Sequence, residues 1–246
     1  MPKGKSKKGK REKPAAKAIE RIPTGISGLD KLMEGGLISG STTLVAGGTG
    51  TGKTIFCCQF LREGLMNGER CLFITLEETP EDIIGDMERF GWDLRDHIER
   101  GRLKLDYKDP FEITNIARGF LDHIKTEGFK RVVIDSTSVL GLYFKSPFEV
   151  RKQLFLALSA LKKTGATVVI TAEAPEEGRM ITRFGVEEYI TDGVIVLHSL
   201  GLSGSNYDKS MHVKKMRRTA HSTDVHPFRI TGKGIEVLPA EKGITL

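Results

Sequence analysis

Eight residues, Gly47-Gly48-Thr49-Gly50-Thr51-Gly52-Lys53-Thr54, constrain this chain more than any other stretch. They follow the apolar run Ser41 to Ala46, which reads as a buried strand, and they open a run of helical periodicity from Lys53 to Asn67. Glycine, four intervening residues, then Gly-Lys-Thr between a strand and a helix is the pattern of a phosphate-wrapping loop. Glycines let successive backbone N–H groups turn onto one anion with no Cβ in the way, and the helix N-terminus adds its dipole. The loop is therefore expected to hold ATP, with Lys53 bridging the β- and γ-phosphates and the Thr54 hydroxyl on Mg2+.

The surrounding pattern places that loop in an α/β chain. Five further β-rich runs follow, at Arg70 to Leu76, Leu103 to Tyr107, Arg131 to Asp135, Thr167 to Ala172 and Gly193 to Ser199. Helical stretches, Lys53 to Asn67, Pro80 to Phe90, Phe111 to Glu127 and Pro147 to Thr164, separate the first five strands. Such alternation predicts a mostly parallel central sheet with helices on both faces. Beyond Ser199 the pattern changes to short strand candidates, Met211 to Arg217, Phe228 to Thr231 and Ile235 to Leu238, which predict a small antiparallel extension at one sheet edge. No internal repeat of useful length is visible.

Two further positions join the loop on chemical grounds. Arg131-Val132-Val133-Ile134-Asp135 reads as a buried strand ending in an acid, at the sheet edge where open α/β sheets bind ligands, so Asp135 is expected to hold the magnesium through water. The second strand ends in Leu76-Glu77-Glu78-Thr79-Pro80. Glu77 is the expected orienter of an attacking water, with Glu78 beside it, and Lys53 completes the catalytic set. The alternative is that Glu77 and Glu78 form a helix-entry cluster, with Thr79 as N-cap and Pro80 at the first helical position. Ser136 has no base near it in sequence and reads as a supporting hydroxyl.

With these elements in order, the chain resembles the KaiC family of RecA-like ATPases from about Arg21 onward. The resemblance is carried by Ile22-Pro23-Thr24-Gly25-Ile26-Ser27-Gly28-Leu29-Asp30, Glu77-Glu78-Thr79-Pro80-Glu81-Asp82-Ile83, Phe90-Gly91-Trp92-Asp93-Leu94, Gly185-Val186-Glu187-Glu188-Tyr189 and Lys215-Met216-Arg217-Arg218-Thr219-Ala220-His221. It implies a RecA-like P-loop fold, slow ATP hydrolysis and a homo-oligomeric ring, usually a hexamer, with nucleotide between subunits. It also implies that Lys215 and Arg217 reach the phosphates held by the neighbouring subunit. Met216, Thr219, His221, Thr231 and Gly232 would then line the nucleoside side. An arginine supplied in trans makes turnover depend on assembly. Read without the resemblance, Lys214-Lys215-Met216-Arg217-Arg218 is an exposed basic edge strand. Clock proteins of this family carry two such domains, and where their second has adjacent phosphorylated Ser and Thr this chain has Glu188-Tyr189 before Thr191-Asp192. Self-phosphorylation is therefore not expected.

Charge divides the chain unequally. Seven lysines and Arg11 against the single acid Glu12 give Met1 to Lys17 a net +7, which leaves −1 for the remainder of the formal +6. Residues 1–18 are expected to be a disordered basic tail and 19–246 a single domain. The tail can solubilise or tether nucleic acid. A DNA-binding recombination accessory therefore stands as an alternative, although the expected DNA loop, Ala174 to Glu188, sets Arg179 and Arg183 against Glu173, Glu176, Glu177, Glu187 and Glu188. A nucleotide-gated scaffold with negligible hydrolysis is the other alternative. No apolar run approaches the roughly 20 residues of a membrane span, and three cysteines without disulfide or metal spacing fit a soluble, cytoplasmic protein. The histidines show no metal spacing. Trp92 reads as a packing anchor rather than a base-stacking platform.

Overall fold

The computed structural model describes residues 18–109, 127–144, 146–175, 180–199 and 208–239. The expected tail up to residue 17, the expected helix over 111–127 up to residue 126, and Glu176, Glu177 and Arg179 of the expected DNA loop lie outside them.

A short antiparallel pair, β1 (Arg21–Ile22) and β2 (Leu37–Ile38), precedes β3 (Thr42–Gly47) and α1 (Lys53–Met66). Then come β4 (Cys71–Thr75), α2 (Pro80–Glu88), α3 (Leu94–Glu99), β5 (Leu103–Tyr107) and β6 (Arg131–Asp135). The chain continues through α4 (Pro147–Lys162), β7 (Thr167–Glu173), α5 (Glu187–Ile190), β8 (Gly193–Ser199), β9 (Lys209–Met216), β10 (His226–Thr231) and β11 (Gly234–Val237). Nine strands form one sheet in the order β11-β10-β9-β8-β3-β7-β6-β4-β5. The six strands from β8 to β5 run parallel, and β9, β10 and β11 continue the sheet antiparallel. This is the expected parallel sheet with its antiparallel extension.

Burial explains the strand sequences. Every residue of β3 is buried, because the strand lies between β7 and β8 and both of its faces are covered. Leu44 and Ala46 face a core shared with α4, whereas Val45 faces the core of α1, α2 and α3. Near-continuous apolar runs are the mark of such doubly covered parallel strands. The α2 N-terminus is capped as its sequence predicts: the Thr79 hydroxyl oxygen accepts from the Asp82 N–H at 3.2 Å, and Pro80 occupies the first turn. Gln59 of α1 fastens the antiparallel extension, accepting from the Ile235 N–H at 2.8 Å and donating to Gly25 O at 2.9 Å. Trp92 is 5% exposed, stacks on Phe90 at 5.1 Å and lies under Arg62, so it packs rather than presenting a face to a base. All three cysteines are free and buried, and burial raises each thiol pKa.

Several boundaries differ from expectation. The central strand is Thr42–Gly47, because the Ser41 hydroxyl donates to Ile38 O at 2.6 Å and closes a turn before it. The pair β1 and β2 and the six-residue helix α3 are additional elements, too short to show periodicity. No helix among the described residues is long and apolar enough to cross a membrane.

Candidate nucleotide site

Parallel β3, β7, β6 and β4 all end at the same sheet edge, and the residues just beyond them converge there. The turn after β3 needs its glycines. Gly52, at φ +98°, caps α1 in the left-handed region, and Gly50 has φ +70°. A Cβ on Gly47 would stand 2.6 Å from Thr51 Oγ1 and 2.8 Å from Leu197 O, so nothing larger fits. Lys53 Nζ folds over this turn and donates to Gly47 O at 3.0 Å and Gly48 O at 2.9 Å. The Thr51 hydroxyl donates to Gly48 O at 2.8 Å. Thr49 and Gly50 line the mouth of the resulting cleft, about 310 Å³ in volume.

The opposite wall is acidic. Thr54 donates its hydroxyl proton to Asp135 Oδ2 at 2.8 Å, and Thr171 donates to the other carboxylate oxygen. Thr54 Oγ1 and Asp135 are thus already paired where a magnesium ion would meet both, which is the donor chemistry a hard cation takes. The Ser136 hydroxyl donates to Glu77, holding it over the cleft. Thr75 shapes the turn that carries both glutamates, accepting from the Glu78 N–H at 3.1 Å and donating to Glu78 O at 2.7 Å. Burial pushes the Glu77 carboxyl above its ordinary range, partly offset by the Ser136 hydrogen bond and reinforced by Asp135 and Glu173. Glu78 is also raised, by burial and then by the charges of Asp135 and Asp86.

The structure gathers the Gly47 to Thr54 loop, Glu77, Glu78 and Asp135 around one cleft. It does not gather the remaining seven. Lys215, Met216, Arg217, Thr219 and His221 lie at the other end of the sheet, because β9 runs antiparallel to β8. Gly47 is level with Leu197, and Leu197 with Met211, but Met216 is level with Gly193. Five residues of strand correspond to about 17 Å, farther than an arginine side chain spans. There Lys215 Nζ donates to Glu188 O at 2.9 Å and Thr191 O at 2.6 Å, and burial followed by the Arg217 charge lowers its pKa. Arg217 contacts Asp192 at 3.3 Å. Met216 is buried, Thr219 accepts from Arg21 at 2.7 Å, and the His221 ring nitrogen Nδ1 lies 2.9 Å from Ser222 O.

Thr231 and Gly232 stand apart from that group, in the hairpin between β10 and β11, where the Thr231 hydroxyl donates to Gly234 O at 3.2 Å. They follow Ile230, whose side chain lies against Gly52 and lines the cleft of its own subunit. Three more residues at or beside the cleft had no nucleotide-site assignment from sequence. Glu173, at the end of β7 between the loop strand and the Asp135 strand, and Asp86, on α2, line the cleft, and a third residue, Lys209 of β9, stands outside that lining and donates from Nζ to Gly50 O at 2.9 Å. Strand order brings in Glu173 and Lys209, and the path of α2 brings in Asp86; neither is written in a local pattern.

Comparison with known proteins agrees with this geometry. A family model described as an ATPase, KaiC, matches residues 22–242. The circadian clock oscillator protein KaiC of Synechococcus elongatus is 36% identical over 233 residues, covering 90% of this chain and 45% of that protein. The circadian clock oscillator protein KaiC 1 of Synechocystis sp. is 36% identical over 234 residues, 91% of this chain and 45% of its own length. The chain spans about half the length of the curated relatives it matches. A crystal structure of a KaiC-like protein from the hyperthermophilic archaeon Pyrococcus horikoshii OT3 aligns with a TM-score of 0.80 at 37% identity, covering 90% of this chain and 100% of that one. By family match, relatives and RecA-like sheet together, the chain belongs to the KaiC family of ATPases.

Proposed function

We propose that the chain binds ATP with Mg2+ in the Gly47–Thr54 loop and hydrolyses it slowly at sites shared between subunits of a homo-oligomeric, hexameric ring. The observation that carries this reading is the separation of the two charged groups across one sheet. Lys53, Thr54, Glu77 and Asp135 stand at one end; Lys215 and Arg217 stand at the other, out of reach of the loop in their own chain. A head-to-tail contact between copies brings unlike ends together, and it makes a ring where the rotation between copies closes.

Within such a site each side chain has a task. Lys53 leaves the carbonyl oxygens of Gly47 and Gly48 and turns its three donors on the β- and γ-phosphates. Thr54 and Asp135 would hold the magnesium, which supplies positive charge to the phosphate oxygens. Glu77, kept in place by Ser136, orients the water, and its raised pKa makes it a better proton acceptor once ionised. Arg217 from the neighbour meets charge that develops as the phosphoryl group transfers. Thr231 and Gly232, beside Ile230, are assigned to the subunit's own nucleotide, and Met216, Thr219 and His221 to the neighbour's.

Native mass spectrometry of the purified protein tests the reading. With ATP and Mg2+ a six-subunit particle carrying about six nucleotides is expected. A monomer under those conditions would refute the shared site.

A further inference from the structure

At the far end of the sheet one carboxylate joins three elements. Asp192 Oδ2 accepts from the Thr42 N–H at 3.0 Å, at the first residue of β3, and from Lys162 Nζ at 2.6 Å, at the last residue of α4. Oδ1 meets Arg217 at 3.3 Å. The main chain repeats the connection: the Asp192 N–H donates to Thr42 O at 2.8 Å, and the Arg217 N–H donates to Asp192 O at 3.0 Å. Arg217 is thus located through both its backbone and its side chain by a residue that is itself tied twice to the strand leading into the phosphate loop. Asp192 is 7% exposed, whereas the Arg217 side chain is 54% exposed. A buried anchor holds a cation that still faces outward.

Charge gives the anchor its effect. Burial acts to raise the Asp192 pKa. The Lys162 and Thr42 hydrogen bonds, with the charges of Lys162 and Arg217, outweigh it and hold the carboxyl below its ordinary range. The group is therefore an anion wherever the protein is folded near neutrality. Lys162, Lys215 and Arg217 crowd around it, and without its charge they would repel one another. Lys162 makes the shorter ion pair, so Arg217 keeps a loose single contact and no second side-chain partner among the described residues. A guanidinium with five N–H donors then has most of them available for a second anion.

We propose that Asp192 is a positioning residue for Arg217, setting where the guanidinium projects toward the nucleotide bound by the adjacent subunit. The inference rests on the shared-site reading above. Its rationale is geometric, since displacing a catalytic group by about 1 Å can cost about 100-fold in rate.

A double-mutant cycle tests it on the full chain, using Asp192→Asn, Arg217→Ala and the double variant. Asparagine keeps the size and an acceptor for Thr42 but removes the charge. The readouts are kcat, KM for ATP and the Kd of a fluorescent ATP analogue. Asp192→Asn is expected to lower kcat about 10-fold or more with the analogue Kd within about twofold, and to cost nothing further once Arg217 is alanine. Asp192→Glu, which retains the anion, should recover part of the loss, and it carries the test if the asparagine variant fails to fold. An undiminished kcat in Asp192→Asn, or an equal loss with Arg217 already removed, would overturn the proposal. If Arg217→Ala itself turns over at the wild-type rate, the shared-site reading fails and this one with it, a result distinct from either of the others.

Discussion

The two ends of the nine-stranded sheet carry similar charged residues and use them in opposite ways. At the loop end the side chains face one another: Thr54 on Asp135, Ser136 on Glu77, Lys53 over Gly47 and Gly48, all around one cleft. At the far end the side chains of Lys215 and Arg217 bond to the Glu188 to Asp192 segment, and the Arg217 side chain is half exposed. An acidic cleft with one lysine lacks the positive charge that phosphoryl transfer demands. In the proposed ring, the basic edge of a neighbouring copy would supply that charge. The lesson is that the antiparallel turn from β8 into β9 keeps the two charged groups apart within one chain, which is why the proposed site spans two.

The largest break in the comparison is expected from the far end. Arg217→Ala should lower steady-state phosphate release by about 1000-fold, as removal of an arginine supplied in trans does, while fluorescent-ATP binding to the loop changes little. Lys53→Ala attacks the other half and should weaken nucleotide binding by about 100-fold, the loss of two charge-assisted hydrogen bonds, measured by equilibrium titration. Glu77→Gln should keep nucleotide affinity and slow hydrolysis by about 100-fold; unchanged turnover would reassign the water-orienting role.

A smaller effect sharpens the chemistry of the cleft. In the proposed mechanism Glu77 works as the anion, and burial raises its pKa, so turnover should fall on acidification at a pH above that of an ordinary glutamate. Glu173→Gln removes a like charge and should move that acid limb to lower pH, read from a kcat against pH profile. Deleting residues 1–17 should change turnover least, by under about twofold, and any affinity for single-stranded DNA that disappears with them belongs to the tail.

Much of the loop end was legible in sequence because each part is local. The Gly47–Thr54 pattern, the apolar strand ending in Asp135 and the Thr79-Pro80 cap are all written within a few consecutive residues. Capping accounts for Thr79 and Pro80 without using Glu77, which leaves that carboxylate for the cleft. Glu173, Asp86 and Lys209 were not legible, because only the order β8-β3-β7-β6-β4, the packing of α2 and the register of β9 bring them to the loop. The same holds for Asp192, whose three partners come from β3, α4 and the end of β9. Resemblance to the family grouped Thr231 and Gly232 with Lys215 and Arg217, whereas the fold separates them, since β10 turns back toward Gly52.

Mixing two inactive variants tests the shared site most directly. Lys53→Ala subunits retain Arg217, and Arg217→Ala subunits retain Lys53, so a ring assembled from equal parts contains some interfaces with both. Phosphate release should return to about a quarter of the wild-type rate, the fraction of head-to-tail contacts pairing an intact loop with an intact arginine. A mixture no more active than its two components would contradict the account, because it would place both halves of the site in one chain.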